Sequence, residues 1–261
     1  MSFCNLGNLL SNLSVLFGEI INHKILDTDW VERTRQSPLW FTTPFGKFVY
    51  HPLDKTSNLK HYLSKLNKKN DPVIISSPIV AILDEGFVTS FVEGEILTTL
   101  SVKDIPSIAQ LQATFHQVED YNLYLWYKKL DMVSLYLLQH NLIAQKEIPK
   151  IQFSRYGLIH GDYSLKNIVK TIYGLVTIDL EHVVEGPIAF DLARPLLRIC
   201  SNKLEQQIYL YNYFQGRSQL SQEELDIGRA TFYLIQIYDR HRFGYPAEAG
   251  ISLEQFRKVF K

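Results

Sequence analysis

Residues 158–194, LIHGDYSLKNIVKTIYGLVTIDLEHVVEGPIAFDLAR, concentrate groups able to move protons or hold cations, His160, Asp162, Asn167, Asp179, Glu181 and Asp191, together with the cation Arg194. Asp162 and Asn167 share a short polar turn after the apolar pair Leu158-Ile159, and Asp179 follows the apolar run Leu175-Val176-Thr177-Ile178. If the flanking segments form a hairpin, Asp162, Asn167 and Asp179 can converge. Asp179 is then a hard oxygen ligand for Mg²⁺, with the Asn167 carbonyl oxygen beside it. Mg²⁺ is usually held by one or two carboxylates together with substrate phosphates and water. Asp162 can accept a proton from an attacking hydroxyl. A base, an amide and a metal carboxylate are the parts phosphoryl transfer requires, since the protein mainly positions the reactants and neutralises charge. Asp162 and Asn167 taken alone are also ordinary turn formers. His160 reads as a hydrogen-bonded structural histidine, and Glu181 as a partner to a ligand or an exposed acid.

The elements that must position these groups follow from hydrophobic spacing. Leu6, Leu9, Leu10, Leu13, Leu16, Phe17, Ile20 and Ile21 recur at helical steps, which predicts a helix docked by one apolar face. Leu39 to Thr43 and Phe48 to Tyr50 are aromatic and β-branched around Pro44-Phe45-Gly46-Lys47 and read as a hairpin. Residues 59–69 read as a short basic helix. Ile79 to Leu83 and Phe87 to Val92, joined by Asp84-Glu85-Gly86, read as two more strands. Beyond Gly94 the texture turns helical, with helices expected around 108–118, 121–142 and from Asp191 onward. The chain thus divides into a small, mainly antiparallel β-rich lobe over 1–93 and a larger, mainly helical lobe over 94–261.

His160-Gly161-Asp162, then Asn167 five residues after the aspartate, then Ile178-Asp179-Leu180-Glu181, then Asp191-Leu192-Ala193, resembles the signature of the aminoglycoside phosphotransferase/choline kinase family. Leu111 to His116 resembles a degraded form of that family's helix ending in Leu-His, and Phe87 to Leu97 resembles the last small-lobe strand and its hinge. The resemblance implies a two-lobed, protein-kinase-like α+β fold and Mg²⁺-dependent transfer of the γ-phosphoryl group of ATP or GTP. It implies that Asp162 is the catalytic base or hydroxyl-orienting carboxylate and that Asn167 and Asp179 hold Mg²⁺. His160 and Asp191 then shape the catalytic loop, the backbone of Ser90, Phe91 and Val92 faces the purine, and Val169 and Ile178 form an apolar floor beneath it.

The chain departs from that pattern in the small lobe. A kinase-like lobe places a lysine on its third strand and a glutamate on the next helix. By register His51 stands in the lysine's place, residues 58–70 contain no Asp or Glu, and the hairpin offers only Gly46 toward a glycine-rich loop. A neutral His51 can donate one hydrogen bond to a phosphate, and a protonated one can add charge. Lys60 or Lys65 is the alternative phosphate contact.

The acceptor is expected to be a small hydroxyl compound, an aminoglycoside, sugar or amino alcohol. Tyr238, Asp239 and His241, in the cluster Tyr238-Asp239-Arg240-His241-Arg242-Phe243, are the candidate acceptor residues. Aromatic rings there could cage an ammonium by cation–π attraction, while the basic residues suit an anionic acceptor. The alternatives are a kinase-fold binding protein without turnover, and a kinase acting on a protein or polysaccharide.

Composition narrows the classes further. With 261 residues, 46% of them apolar, the chain can bury a sizeable core. Lys+Arg and Asp+Glu are 27 each, so the basic excess of a generic nucleic-acid binder is missing. Cys4 and Cys200 are the only cysteines, which argues against a disulfide framework or multi-cysteine zinc site. No apolar run approaches the ~20 residues of a membrane span, and the N-terminus lacks the positive region of a signal peptide. The expected location is the cytoplasm.

Overall fold

The computed structural model describes residues 6–26, 38–53, 59, 61–63, 66, 76–116, 123–149 and 152–259. They form two compact units, one of residues 1–95 with 169–181, the other of 96–168 with 182–261.

In the first unit, helix α1 (Leu6–Phe17) ends at Gly18, whose φ of +81° is the left-handed cap conformation that glycine adopts without strain. The helix stops short of Ile20 and Ile21. The next residues form strand β1 (Asn22–Ile25), which hydrophobic periodicity alone did not reveal. β1 pairs with β2 (Leu39–Thr43), and β2 pairs with β3 (Gly46–Pro52) through the expected hairpin. β4 (Ile79–Ile82) and β5 (Gly86–Ser90) complete an antiparallel sheet of order β1-β2-β3-β5-β4. Leu39, Phe41 and Thr43 alternate inward along β2. Leu39 and Phe41 pack with Tyr50 and Val88 against Leu13 of α1, which is fully buried. The predicted helix at 59–69 falls largely outside the described residues; Leu59, Tyr62, Leu63 and Leu66 within it are buried.

Strand β6 (Glu95–Ile96) is hydrogen-bonded to β8 (Ile168–Thr171), and β8 to β9 (Gly174–Thr177). A boundary after residue 93 assigns this hairpin to the helical lobe, whereas residues 169–181 cluster with the first unit. The reason is backbone bonding: Ser77 N donates to Thr177 O at 2.8 Å, and Ser76 bridges Thr177 in parallel.

The second unit contains α2 (Ile105–Phe115), α3 (Tyr124–Gln139), α4 (Ile188–Arg198), α5 (Lys203–Tyr213), α6 (Gln222–Arg242) and α7 (Pro246–Val259). α6 lies at the centre of its core, where Phe232, Leu234, Ile237 and Tyr238 meet Trp126, Leu137, Phe190 and Phe256. Ser221 and Asn202 cap α6 and α5, each accepting a backbone N–H from the residue three positions on. Strand β7 (Tyr156–Ile159) pairs antiparallel with β10 (Val184–Pro187), a second strand that the sequence pattern left unassigned. Among the described residues no helix is long and apolar enough to cross a membrane.

Candidate active site

The loop that leaves β7 is built around a glycine. Gly161 has φ +77°, and a Cβ there would lie 2.5 Å from the His182 carbonyl oxygen, so no other residue fits. Its N–H donates to Asp191 Oδ1 at 2.8 Å. Asp191, in the first turns of α4, is almost fully buried. Its Oδ2 lies 2.9 Å from His116 Nε2 and accepts from Gln112 Nε2 at 3.0 Å. Burial alone would raise this carboxyl. The His116 hydrogen bond and charge, with His160 and Gln112, outweigh burial and hold it below the ordinary carboxylate value. Tyr209 OH donates to Gln112 Oε1, and Tyr213 OH lies 2.7 Å from His116 Nδ1. Gln112 on α2 and His116, which caps its C-terminus, are one helical turn apart, as are Tyr209 and Tyr213 on α5, so two facing helices interlock through polar pairs. Sequence reasoning missed Gln112, Tyr209 and Tyr213; the matched four-residue spacing is the signal that could have found them.

His160 is fully buried and its Nδ1 accepts the Asp162 N–H at 3.3 Å. Asp162 is buried too. Asn167 Nδ2 donates to both its backbone oxygen (2.9 Å) and its Oδ2 (3.0 Å). With that nitrogen committed, Asn167 Oδ1 is the atom left for a cation. Arg194, one turn along α4 from Asp191, is ion-paired with Asp162 Oδ1. Lys166 Nζ stands 3.7 Å from Oδ2. The sequence placed Arg194 within the 158–194 segment but gave it no partner and no role.

Asn167 immediately precedes β8, and Asp179 lies two residues past β9, the partner of β8. Asp179 has φ +61°, a left-handed conformation uncommon outside glycine. Such backbone strain collects at functional positions. Asn167 offers an amide oxygen and Asp179 a carboxylate, hard oxygen donors of the kind Mg²⁺ takes. They do not suit zinc, and no cluster of three or more His, Cys, Asp or Glu is found among the described residues.

In the first unit His51 lies on β3, stacked on Phe87 with ring centroids 4.5 Å apart and planes 9° from parallel. Its Nε2 is 3.2 Å from Thr89 Oγ1. Burial pulls its pKa from 6.5 down to about 4, despite the opposing charge of Glu181. Burial therefore favours the uncharged imidazole at neutral pH, which offers a hydrogen bond rather than a charge. Lys47 is paired with the exposed Glu93 at 2.6 Å. Lys55, Lys60 and Lys65 lie outside the described residues. At the expected hinge, the N–H groups of Ser90 and Phe91 are taken by Pro78 O and Lys47 O. Val92 follows them just past β5. Val169 is buried and Ile178 half-buried.

The aromatic cluster expected to meet the acceptor is largely engaged within the protein. Tyr238 is buried in the helical core, accepts from Arg242 at its hydroxyl (2.8 Å) and carries the Arg242 guanidinium over its ring (5.7 Å). His241 Nδ1 lies 3.0 Å from Tyr136 OH. Burial raises the Asp239 carboxyl, opposed by Lys129, His182, Arg242 and Arg194 around it.

No protein-family model and no curated protein matches the sequence. Solved structures do match. The chain is similar to the choline kinase LicA from Streptococcus pneumoniae, at 15% identity and TM-score 0.69 over 98% of both chains. It is similar to an ethanolamine kinase from Plasmodium vivax, at 12% identity and TM-score 0.64 over 91% of this chain and 84% of that one. It is also similar to a macrolide 2'-phosphotransferase from Brachybacterium faecium, at 13% identity and TM-score 0.60 over 94% and 97%. At such identities the likeness establishes the fold. It is the kinase-like α+β fold of the phosphotransferases that the HGD motif resembles.

Proposed function

We propose that this chain is a phosphotransferase that moves the γ-phosphoryl group of ATP or GTP to a hydroxyl of a small molecule. The observation that carries the reading is the Asp162–Asn167 pair, held on a loop whose glycine is hydrogen-bonded to the buried Asp191. A buried carboxylate fixed in this way is preorganised to orient a hydroxyl and take its proton. The acceptor oxygen bonds to the γ-phosphorus as the bond to the β,γ-bridging oxygen breaks. The hydroxyl proton passes to Asp162, and the nucleoside diphosphate leaves. Asn167 and Asp179 would hold Mg²⁺, which when bound neutralises phosphate charge. His51, neutral, has one ring N–H to offer a phosphate oxygen, and Val92 with the carbonyls of Ser90 and Phe91 would meet the purine over Val169 and Ile178. LicA has also been solved with AMP, at 16% identity to this chain, which supports nucleotide use. Cys200 is a buried free thiol, in keeping with a reducing cytoplasm.

The test is nucleoside diphosphate release from Mg-ATP and Mg-GTP across a panel of small hydroxyl compounds, in wild type and Asp162→Asn. The variant is expected to lose about 10²–10⁴-fold in turnover with nucleotide affinity retained. Unimpaired turnover in the variant removes Asp162 from the chemistry. A second reading, a kinase-fold binding protein without turnover, is favoured by His51, which supplies no charge where kinases use lysine. Nucleotide binding without turnover of any acceptor would favour it.

A further inference from the structure

The ion pair at Asp162 has a chemical consequence for the acceptor, one that rests on the phosphotransferase reading above. Arg194 is held from two sides: its guanidinium lies 5.4 Å from the Phe232 ring centroid, and one terminal nitrogen bonds Asp162 Oδ1. Its Nε is buried and has no hydrogen-bond partner among the described residues. A buried guanidinium donor without an acceptor calls for an oxygen, and a carboxylate or phosphate matches the guanidinium fork best. Asp162 is not a spare counter-ion for an incoming cation, because Arg194 and Lys166 already face its two oxygens. Asp239, the other acid of this region, is surrounded by Lys129, His182, Arg242 and Arg194. The aromatic faces that could cage an ammonium are also taken, with Arg242 over both Tyr238 and Phe243.

We propose that Arg194 is the anion anchor of the acceptor site, and that the acceptor is a small compound carrying a carboxylate or phosphate beside the hydroxyl to be phosphorylated. The anionic group takes up the Arg194 donors, and Asp162, released from its ion pair, faces the hydroxyl. Phosphoryl transfer then proceeds as above, the proton going to Asp162 and the β,γ-bridging oxygen leaving with the nucleoside diphosphate. An ammonium compound would meet Arg194, Lys166 and Arg242 as like charges.

Calorimetric titration of the full chain with D-glycerate, glycerol 3-phosphate, glycerol and choline, each in the presence of Mg-ADP, tests this. At least one of the two anionic probes should bind about tenfold or more tighter than glycerol and choline. Which of the two does so tells carboxylate from phosphate. Arg194→Ala should erase the preference, and Arg194→Lys, which keeps the charge, should retain part of it. Choline or glycerol binding as well as the anions overturns the proposal, as does failure of both anions to bind, or a preference unchanged in Arg194→Ala. If Arg194→Ala does not fold, the probe ordering in wild type and Arg194→Lys decides alone. Binding of Mg-ADP is measured first in the same cell. Its absence counts against the phosphotransferase reading, whereas its presence with no preference for anions counts only against the anchor.

Discussion

Asp162 and His51 show how burial sets what a side chain can do. The first is a carboxylate whose oxygens meet Asn167, Arg194 and Lys166. The second is an imidazole kept neutral by burial between Phe87 and Thr89. The depressed His51 pKa also bears on stability. In the unfolded chain the imidazole titrates near 6.5, in the folded chain at about 4. The unfolded state therefore binds more protons between those values, and stability falls as pH drops through that window. The full window is worth on the order of 3 kcal/mol, at about 1.4 kcal/mol for each pH unit that separates the two values. Urea unfolding of wild type and His51→Gln at pH 7.5 and pH 4.5 checks it: wild type should lose more stability than the variant on acidification. Equal losses would show that His51 titrates normally in the fold. The same neutrality agrees with the lack of Asp and Glu in the sequence of residues 58–70, since a neutral imidazole needs no compensating charge.

At the scale of elements, the loop that carries Asp162 depends on α2 and α5 as much as on its own residues. Asp191 gathers Gly161 N–H, Gln112 and His116, so Asp191→Ala leaves the Gly161 N–H and His116 Nε2 without their partner, while Gln112 keeps only the backbone carbonyl of residue 191. The expected cost is about 3–5 kcal/mol, measurable as a lowered urea midpoint. A loss within experimental error would mean that water replaces the carboxylate. Gly161→Ala should be similarly severe, with turnover lost as well, because its Cβ has no space against His182. Within this scale the sequence was readable where one pattern dominated. The β2–β3 hairpin announces itself by aromatic and β-branched residues around Pro44-Phe45-Gly46, and α1 by its leucine spacing. β1 and β10 escaped because Asn22-His23-Lys24-Ile25 and Val184-Glu185-Gly186-Pro187 are short and carry no clear alternation. They are strands by virtue of their partners β2 and β7. The motif residues of 158–194 were legible because fixed types recur at fixed spacing. Arg194 was not, because nothing in a lone arginine says which carboxylate it will meet.

For the molecule as a whole, the first unit carries His51 and Asp179, and the second carries Asp162, Asn167, Asp191 and Arg194. The fold is shared with kinases of choline and ethanolamine and with a macrolide phosphotransferase, at identities of 15%, 12% and 13%. On the proposed reading, Arg194 and Lys166 beside Asp162 disfavour an ammonium acceptor, so the shared fold need not bring a shared acceptor. Asp179→Asn should weaken nucleotide binding about tenfold or more in Mg²⁺ and leave binding without metal unchanged. An unaltered affinity in Mg²⁺ would take Asp179 out of the metal site. Whether this chain handles a metal–nucleotide complex is met head-on by calorimetric titration of the purified protein with ATP and with GTP, each with and without Mg²⁺. The expected result is saturable binding of at least one nucleotide, clearly tighter when Mg²⁺ is present. Binding of neither nucleotide, or binding indifferent to Mg²⁺, would contradict the phosphotransferase reading.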